Sequence, residues 1–281
     1  MSKRKQTDSD SGSDNDGENL INIDFDFFDP DPEVDFHALK RLIVQVFQTD
    51  AEQLHPSDLA DLILSQPQVG STVKTDGKES DPYAILTALN IHEHKHNASI
   101  KALAEYALLK SQGDPAFSAT LQSLLESSDA STRVGLIFSE RLINMPVQVV
   151  PHMYRMLIDE LQAAVTQNQS YAFSHLLFFS RIYRLSSEEE VALNAQSTPS
   201  QNKRRRAQQT HLQSPTNGVY SFHHEDPIIK KLAQHSVDYE FTHAQPREED
   251  SFGLDLGGRM MLLSADRLPQ LVHEMTEAFS S

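Results

Sequence analysis

The sequence contains no cysteine among its 281 residues. Without thiols the chain cannot form disulfides, thiolate zinc sites, iron–sulfur clusters or a cysteine nucleophile. The same absence leaves the redox compartment open, since a chain without thiols is stable in reducing and oxidising surroundings alike. Composition thus excludes several classes of metal protein and enzyme before any motif is considered.

Glycine is scarce, with ten residues in the whole chain. No Gly-x-x-x-x-Gly-Lys loop, no Gly-x-Gly-x-x-Gly and no Gly-x-Ser-x-Gly is present. The Arg/Gln-x-x-Gly-x-Gly/Ala loop with which acyl-CoA transferases hold pyrophosphate is missing as well. Paired carboxylates occur because acids are abundant, so they do not define an acid–base pair. We therefore expect no catalytic residue, no cofactor and no enzyme, and an unorthodox or degenerate acyltransferase is the alternative.

Long apolar runs are also lacking, since none approaches the about eighteen residues that span a bilayer. The first residues lead into an acidic serine run, so we expect no secretory signal and a soluble intracellular protein. The charge is one-sided, because 40 acids against 24 bases give a net charge of −16. Such a molecule repels nucleic acid and anionic membranes, whose binding depends on Lys and Arg. We expect no direct contact with either.

Two segments have a composition that cannot repay the entropy of ordering. Residues 1–19 are mostly Ser, Asp, Asn, Gly and Glu, and they predict a disordered acidic tail. Residues 194–217 are rich in Gln, Ser, Asn, Thr and Pro. They predict a flexible insertion in a single α/β domain that covers residues 20–281.

Both segments carry short candidate signals. In the tail, Thr7, Ser11 and Ser13 each precede an acid by three residues, a pattern that acidophilic kinases prefer. Phosphorylation would add up to about two negative charges at each site. The insertion contains a basic run that predicts either nuclear import or a nonspecific basic patch, formed by Lys203, Arg204, Arg205 and Arg206.

Acidic residues are concentrated near the N-terminus, where residues 1–35 hold eleven acids against three bases. The candidate partner-binding residues are Asp24, Asp26, Asp29, Asp31 and Glu33. Asp24 and Asp26 fall on the polar face of a predicted strand whose other face is aromatic. Such carboxylates can screen a partner rich in Lys and Arg, with a strength that falls as salt increases. The alternative is an acidic segment that serves only solubility.

Apolar periodicity alternates between strands and helices along the chain. Strands are predicted at residues 20–28, 69–74, 83–91, 134–138 and 171–185. Amphipathic helices are predicted near residues 39–47, 100–108, 153–161 and 268–279, with a further helix that begins after a capping Asp114 and Pro115. The alternation indicates an α/β fold with a mixed β-sheet flanked by helices.

Within this pattern, two details carry specific expectations. In the strand at residues 171–185, one face is predicted to hold Tyr171, Phe173, Leu177, Phe179 and Tyr183. Near the C-terminus, the pair Gly257-Gly258 is typical of the turn of a β-hairpin, and an anion-binding nest is the weaker alternative.

The histidine run at residues 92–96 is the one cluster that resembles a metal site. His92, His94 and His96 share a parity, so they could ligate zinc if they lay on a strand. The run lacks the helical His-Glu-x-x-His spacing and leads into polar Asn97. A solvated loop is the preferred interpretation, and we predict no metal site.

Several segments together resemble the BCCIP family, whose fungal members are called Bcp proteins. One is Ile-Asn-Ile-Asp-Phe-Asp-Phe-Phe-Asp-Pro at residues 21–30, and the most distinctive is Ser-Glu-Arg-Leu-Ile-Asn-Met-Pro at residues 139–146. Residues 35–40, 70–76 and 81–84 are similar to the family as well. The resemblance covers residues 20–185 and continues to the terminal helix.

This resemblance implies a nuclear, non-enzymatic interaction protein with a fold similar to that of the Gcn5-type N-acetyltransferases, but without the coenzyme A loop. It implies a chaperone of a basic large-subunit ribosomal protein, of the L-twenty-three type, in 60S ribosome biogenesis. It also implies nuclear export and protein transport, with shuttling to the cytoplasm. Further implied partners are nuclear transport factors and a phosphatidylinositol-phosphate kinase, and an export adaptor for that lipid kinase is an alternative function.

Overall fold

The structure is a computed structural model that describes residues 24–66, 68–186, 189–190, 218–244 and 254–279. The predicted tail at residues 1–19 and the predicted insertion at residues 194–217 lie outside the described residues, so their disorder stays a prediction. Within the described ranges, no helix is both long and apolar enough to cross a membrane.

An eight-stranded mixed sheet forms the centre of the fold. Its strands are β1 (Asp26–Phe28), β2 (Ser71–Lys74), β3 (Ala84–Asn90), β4 (Val134–Arg141), β5 (His175–Arg184), β6 (Val219–Ser221), β7 (His235–Glu240) and β8 (Asp255–Ser264). The order across the sheet is β1-β2-β3-β4-β5-β8-β7, and β6 pairs with β5. Strands β4 and β5 run parallel, whereas the other described pairs are antiparallel.

Seven helices in the described ranges flank this sheet. They are α1 (Phe36–Phe47), α2 (Pro56–Leu64), α3 (Ala98–Lys110), α4 (Pro115–Glu126), α5 (Val150–Thr166), α6 (Asp226–Leu232) and α7 (Leu268–Phe279). The capping prediction is confirmed, because Asp114 Oδ1 accepts the N–H groups of Ala116 and Phe117 at 3.0 Å. The mixed α/β sheet predicted from the periodicity is therefore the observed architecture.

The core has two layers, one on each face of the sheet. Alternate residues of β5 supply both, since successive side chains of a strand point to opposite faces. Leu177 and Phe179 join the layer beneath α1–α4, whereas Leu176 and Phe178 join the layer beneath α5–α7. A strand buried on both faces reads as a continuous apolar run, which explains the strength of this signal in the sequence.

The predicted hairpin at Gly257-Gly258 is wrong, because both glycines lie inside strand β8 and pair with β5 and β7. Glycine is required at both positions for a different reason. A Cβ on Gly257 would lie 2.9 Å from the Tyr239 carbonyl oxygen, and a Cβ on Gly258 would overlap the Tyr239 ring. Glycine is needed here for the close approach of a neighbouring strand rather than for a turn.

The predicted parity of the strand at residues 171–185 fails at its start. Strand β5 begins at His175, and the N–H groups of Tyr171 and Phe173 donate to carbonyls two residues back. This irregular backbone turns the Tyr171 and Phe173 rings toward the α5–α7 layer, opposite to Leu177 and Phe179. Two aromatic side chains predicted for one face thus lie on the other.

Candidate functional site

The candidate acids lie on the edge strand β1 and on the turn that follows it. Asp24 and Asp26 are exposed, whereas Phe25 and Phe27 are partly buried against the α5–α7 layer. The predicted alternation is therefore confirmed for the described residues of this strand. Asp26 lies opposite Lys74 on the neighbouring strand β2, so the two side chains are on the same face of the sheet, the face that α1 covers.

Asp31 stabilises the turn before α1 through two hydrogen bonds. Its Oδ1 accepts the N–H of Glu33 at 2.9 Å, and its own N–H donates to Asp35 Oδ2 at 2.9 Å. Asp35 in turn forms a buried ion pair with Lys74, with Nζ and Oδ1 2.6 Å apart. This network fixes the turn that carries the acids, and it leaves Glu33 exposed.

Asp29 lies on the opposite side of the edge, near two acids of α5 that the sequence interpretation did not select. We call Asp29, Asp159 and Glu160 the α5 acidic patch. Glu160 accepts the Gly70 N–H at 2.8 Å and the Ser71 hydroxyl at 2.7 Å. Burial raises the pKa of Glu160, and the negative charges of Asp29 and Asp159 raise it further. Among the described residues, no Lys or Arg forms an ion pair with any of the three.

An apolar groove of about 560 Å³ opens on the other side of the C-terminal half of α5. Helix α5 provides one wall, the irregular segment before β5 provides another, and the start of α7 closes the third side. We call it the α5–α7 groove, and its main lining residues are Ile158, Leu161, Val165, Tyr171, Phe173 and Leu268. The groove and the α5 acidic patch thus lie on two sides of one helix.

Strands β4 and β5 separate partway along their length. Their parallel pairing ends at Ile137 and Phe178, and β6 then pairs with β5 at Ile182–Arg184. Charged side chains fill the space between the separating strands. We call this buried cluster the ionic junction, and it consists of Glu140, Arg141, Arg181, His223 and Glu225.

The members of the ionic junction form three ion pairs, two of which share Glu140. Glu140 accepts from His223 Nε2 at 2.8 Å and from Arg181 Nε at 3.2 Å. Arg141 donates through both terminal nitrogens to Glu225, with the second contact at 2.9 Å. The cluster is closely packed, because the cavity beside it measures only about 10 Å³, roughly the space that one water needs.

The pKa values in the ionic junction follow from this pairing. Burial alone would raise the pKa of Glu140, but His223 and Arg181 hold it at about 2. Burial disfavours a charged imidazole, yet Glu140 raises the pKa of His223 above its ordinary value. Burial raises the pKa of the neighbouring Asp226 to about 6. The pairing with Glu140 therefore favours the charged form of the His223 imidazole inside the junction.

The histidine run forms turns between β3 and α3 rather than a strand. His92 Nε2 lies 3.0 Å from the Leu124 carbonyl oxygen, and His92 Nδ1 accepts the Val134 N–H at 3.3 Å. Both ring nitrogens of His92 are thus engaged by the backbone. In the described ranges, no three His, Asp or Glu side chains lie together in an arrangement that could hold a metal ion.

The family assignment comes from the sequence as a whole. The profile described as BCCIP matches residues 20–229, which is more than half of the chain. The chain belongs to the BCCIP family. The resemblance seen in the residue patterns is therefore confirmed, and the ionic junction and the α5 acidic patch are features of a BCCIP-family member.

Curated relatives and a solved structure agree with this assignment. Protein bcp1 of Emericella nidulans is 41% identical over 260 residues, which cover 90% of this chain and 86% of that protein. Protein bcp1 of Schizosaccharomyces pombe is 39% identical over 260 residues, covering 90% and 89%. The crystal structure of BCP1 from Saccharomyces cerevisiae matches with a TM-score of 0.62 and 28% identity, covering 95% and 93% of the two chains. These relatives are named as proteins rather than by a reaction, which is consistent with a non-enzymatic role.

Some candidate residues of this BCCIP-family chain lie outside the described residues. They are the candidate phosphorylation sites Thr7, Ser11 and Ser13 and the candidate import signal Lys203, Arg204, Arg205 and Arg206. The ionic junction, in contrast, was missed by the sequence interpretation although a signal existed. Glu140 and Arg141 directly follow an apolar strand pattern, and Arg181 interrupts an aromatic one, and such charges on buried strands require partners.

Proposed function

We propose that this chain is a non-enzymatic escort of a basic ribosomal protein of the large subunit, of the L-twenty-three type, and supports 60S ribosome biogenesis. Below, this partner is called the client. Membership of the BCCIP family supports the proposal at the level of the family. The net charge of −16 supports a cationic partner.

The observation that carries the proposal is the α5 acidic patch. Asp29 and Asp159 lie close enough to Glu160 for their negative charges to raise its pKa, and no described Lys or Arg pairs with any of the three. Two of them, Asp29 and Asp159, are exposed. Holding like charges together without counter-charges is unfavourable, so binding a cationic surface relieves this repulsion.

In this proposal, carboxylates stand in for the phosphates of ribosomal RNA. Asp24, Asp26 and Asp29, with Asp159 of α5, surround the β1 edge and would cover the RNA-binding surface of the client. Attraction between opposite charges speeds the encounter but discriminates poorly between cationic proteins. An apolar contact must therefore add selectivity.

We also infer that the sheet is related to that of the Gcn5-type N-acetyltransferases. Among the described strands, β4 and β5 are the one parallel pair, and their separation partway supports this relation. The ionic junction occupies the separation, which argues against the acyltransferase alternative. Calorimetry with acetyl-CoA tests the acyltransferase alternative. We expect no heat of binding, and a micromolar affinity would favour that alternative.

The proposal places the chain in the nucleus, with shuttling to the cytoplasm and a part in nuclear export. Replacing Lys203, Arg204, Arg205 and Arg206 together with alanine, and following a fluorescent fusion in cells, tests the import signal. We expect the fusion to move to the cytoplasm. Unchanged nuclear accumulation would assign import to another segment or to a partner, including the nuclear transport factors or the lipid kinase of the alternative function.

The binding experiment compares two double variants of equal charge. Asp29→Asn with Asp159→Asn removes two exposed carboxylates around α5, whereas Asp58→Asn with Asp61→Asn removes two exposed ones from α2, across the sheet. We expect the first pair to weaken client binding about fivefold and the second to leave it nearly unchanged. Calorimetry between about 50 and 200 mM salt gives the affinities and their salt dependence.

Two results would contradict the proposal. One is an affinity for the client that does not fall as salt increases. The other is an equal loss in both double variants, because that would assign the effect to net charge rather than to the α5 acidic patch.

A further inference from the structure

The walls of the α5–α7 groove are held in place by contacts of their own. The hydroxyl of Tyr171 donates to Gln66 Oε1 at 2.7 Å, and the Tyr171 and Phe173 rings meet edge to face with centroids 5.8 Å apart. A Cβ on Gly135 would lie 2.7 Å from the Phe173 ring, so this glycine lets the ring lie against the sheet. Because the walls keep their shape, filling the groove requires little ordering of the protein.

The groove is open to solvent and has room for large side chains. Its volume of about 560 Å³ falls within the range of about 300–1,000 Å³ that is common for ligand sites. Val165, at the rim on α5, is 41% exposed. An open apolar groove with aromatic walls is typical of surfaces that bind a partner, whereas a single exposed aliphatic residue is not.

An acidic charge acts on one lining residue of the groove. Burial raises the pKa of Tyr171, and the negative charge of Glu93 raises it further. Arg267, next to Leu268, is a cation at the rim, but the α5 acidic patch adds three more acids across the helix. The surroundings therefore favour a partner with positive charge.

We propose that the α5–α7 groove receives an aromatic or long aliphatic side chain from a Lys- and Arg-rich segment of the client. The cations of that segment lie over the α5 acidic patch, on the other side of the same helix. This inference rests on the proposed function, and it assigns to the groove the apolar contact that electrostatic attraction cannot supply. Burial of one aromatic side chain removes about 150–250 Å² from water, which is enough to make the groove a centre of binding energy.

Substitutions at the rim test the groove without disturbing the core. Val165→Lys places a positive charge at the opening, and we expect it to weaken client binding at least about tenfold. Val165→Glu removes the same aliphatic contact but attracts the cationic segment, so its loss is expected to be smaller. Leu109→Lys is the matched control, because Leu109 is 50% exposed on α3 across the sheet. It is expected to bind like the wild type.

Because the chain has no cysteine, a single introduced thiol reports directly on the occupant. We expect a bimane label on Val165→Cys to shift to shorter wavelength and to resist iodide quenching when the purified client is added. The same label on Leu109→Cys is expected to stay unchanged. Thermal unfolding of each variant confirms that it folds.

The outcomes separate the two proposals. If the wild type does not bind the client, the proposed function fails, and the inference fails with it. If the wild type binds but Val165→Lys binds equally well and the label does not respond, only the groove assignment is overturned. Sedimentation of the free chain tests whether a second copy of the chain occupies the groove. A dimer that Val165→Lys dissociates would show that it does and would overturn the inference.

Discussion

His223 and Glu140 show how one residue pair can set the pH dependence of this fold. Both side chains are buried, and their stability contribution depends on the imidazolium staying charged. The pKa of His223 is raised in the folded chain, so its contribution is complete below the ordinary pKa of 6.5. It is lost as pH rises through the raised value. Glu140, with a pKa of about 2, loses its contribution only in strong acid, as pH falls from about 4.5 toward 2.

We expect His223→Gln to lower the free energy of unfolding by about 2 kcal/mol at pH 6, because Glu140 loses one of its two charged partners and keeps only Arg181. The difference from the wild type should shrink as pH rises through the raised pKa of His223, because the wild-type imidazole then loses its charge as well. Urea unfolding across this range measures the difference. His96→Gln is the control, since His96 is exposed. A difference that is the same below pH 6.5 and at every higher pH would show that His223 is not charged in the folded chain.

For single residues, the sequence predicts the direction of a side chain on a strand but not its contacts with distant parts of the chain. The alternation of Asp24, Phe25, Asp26 and Phe27 could be predicted because side-chain direction in a strand follows directly from spacing. The proximity of Asp29 to Glu160 could not, since it depends on how α5 packs against β2. The pairing of Glu140 with His223 likewise depends on contacts across 83 residues of chain.

Strand β8 is the element whose observed structure differs most from the one that its sequence pattern predicts. Two adjacent glycines predict a turn, yet β8 continues through them because the Tyr239 ring of β7 lies against Gly258. That ring has little freedom to move, since Tyr239 is buried and packs against Tyr106 and Phe241 with centroids 5.8 and 6.1 Å apart. The glycines are required by contact with the neighbouring strand β7, and their spacing in the sequence does not reveal this contact.

We expect Gly258→Ala to destabilise the protein by about 2 kcal/mol, because the new methyl group overlaps the Tyr239 ring. Gly113→Ala is the matched control: a Cβ there meets nothing within 4 Å, so its effect should stay within about 0.5 kcal/mol. Thermal or urea unfolding compares the two variants. Equal stability of Gly258→Ala and wild type would mean that the β7–β8 contact adapts without cost.

Other elements were predictable because their signals are local. Helix α4 starts at an Asp-Pro pair that caps it, and the turn between β2 and β3 contains Gly77 at a φ of +80°. Tyr171 and Phe173 were assigned to the wrong face because the backbone breaks before β5, where periodicity continues unchanged. The α5–α7 groove exists because of that break, so the sequence could not locate it.

At the scale of the whole molecule, opposite properties meet around one helix. Helix α5 carries acids without described Lys or Arg partners on one side and borders an open apolar groove on the other. Helices α1–α4 cover the opposite face of the sheet, and the ionic junction closes the space between β4 and β5. This arrangement suits an acidic chain that shields a cationic protein, with charge providing attraction and the groove providing selection.

The most direct measurement of the central claim is a competition for the client between this chain and RNA. The purified client is first bound to a labelled fragment of large-subunit ribosomal RNA, and the chain is then added while fluorescence anisotropy is followed. The account predicts that the RNA is released as the chain binds, because carboxylates and phosphates compete for one cationic surface. A stable ternary complex of chain, client and RNA would contradict it.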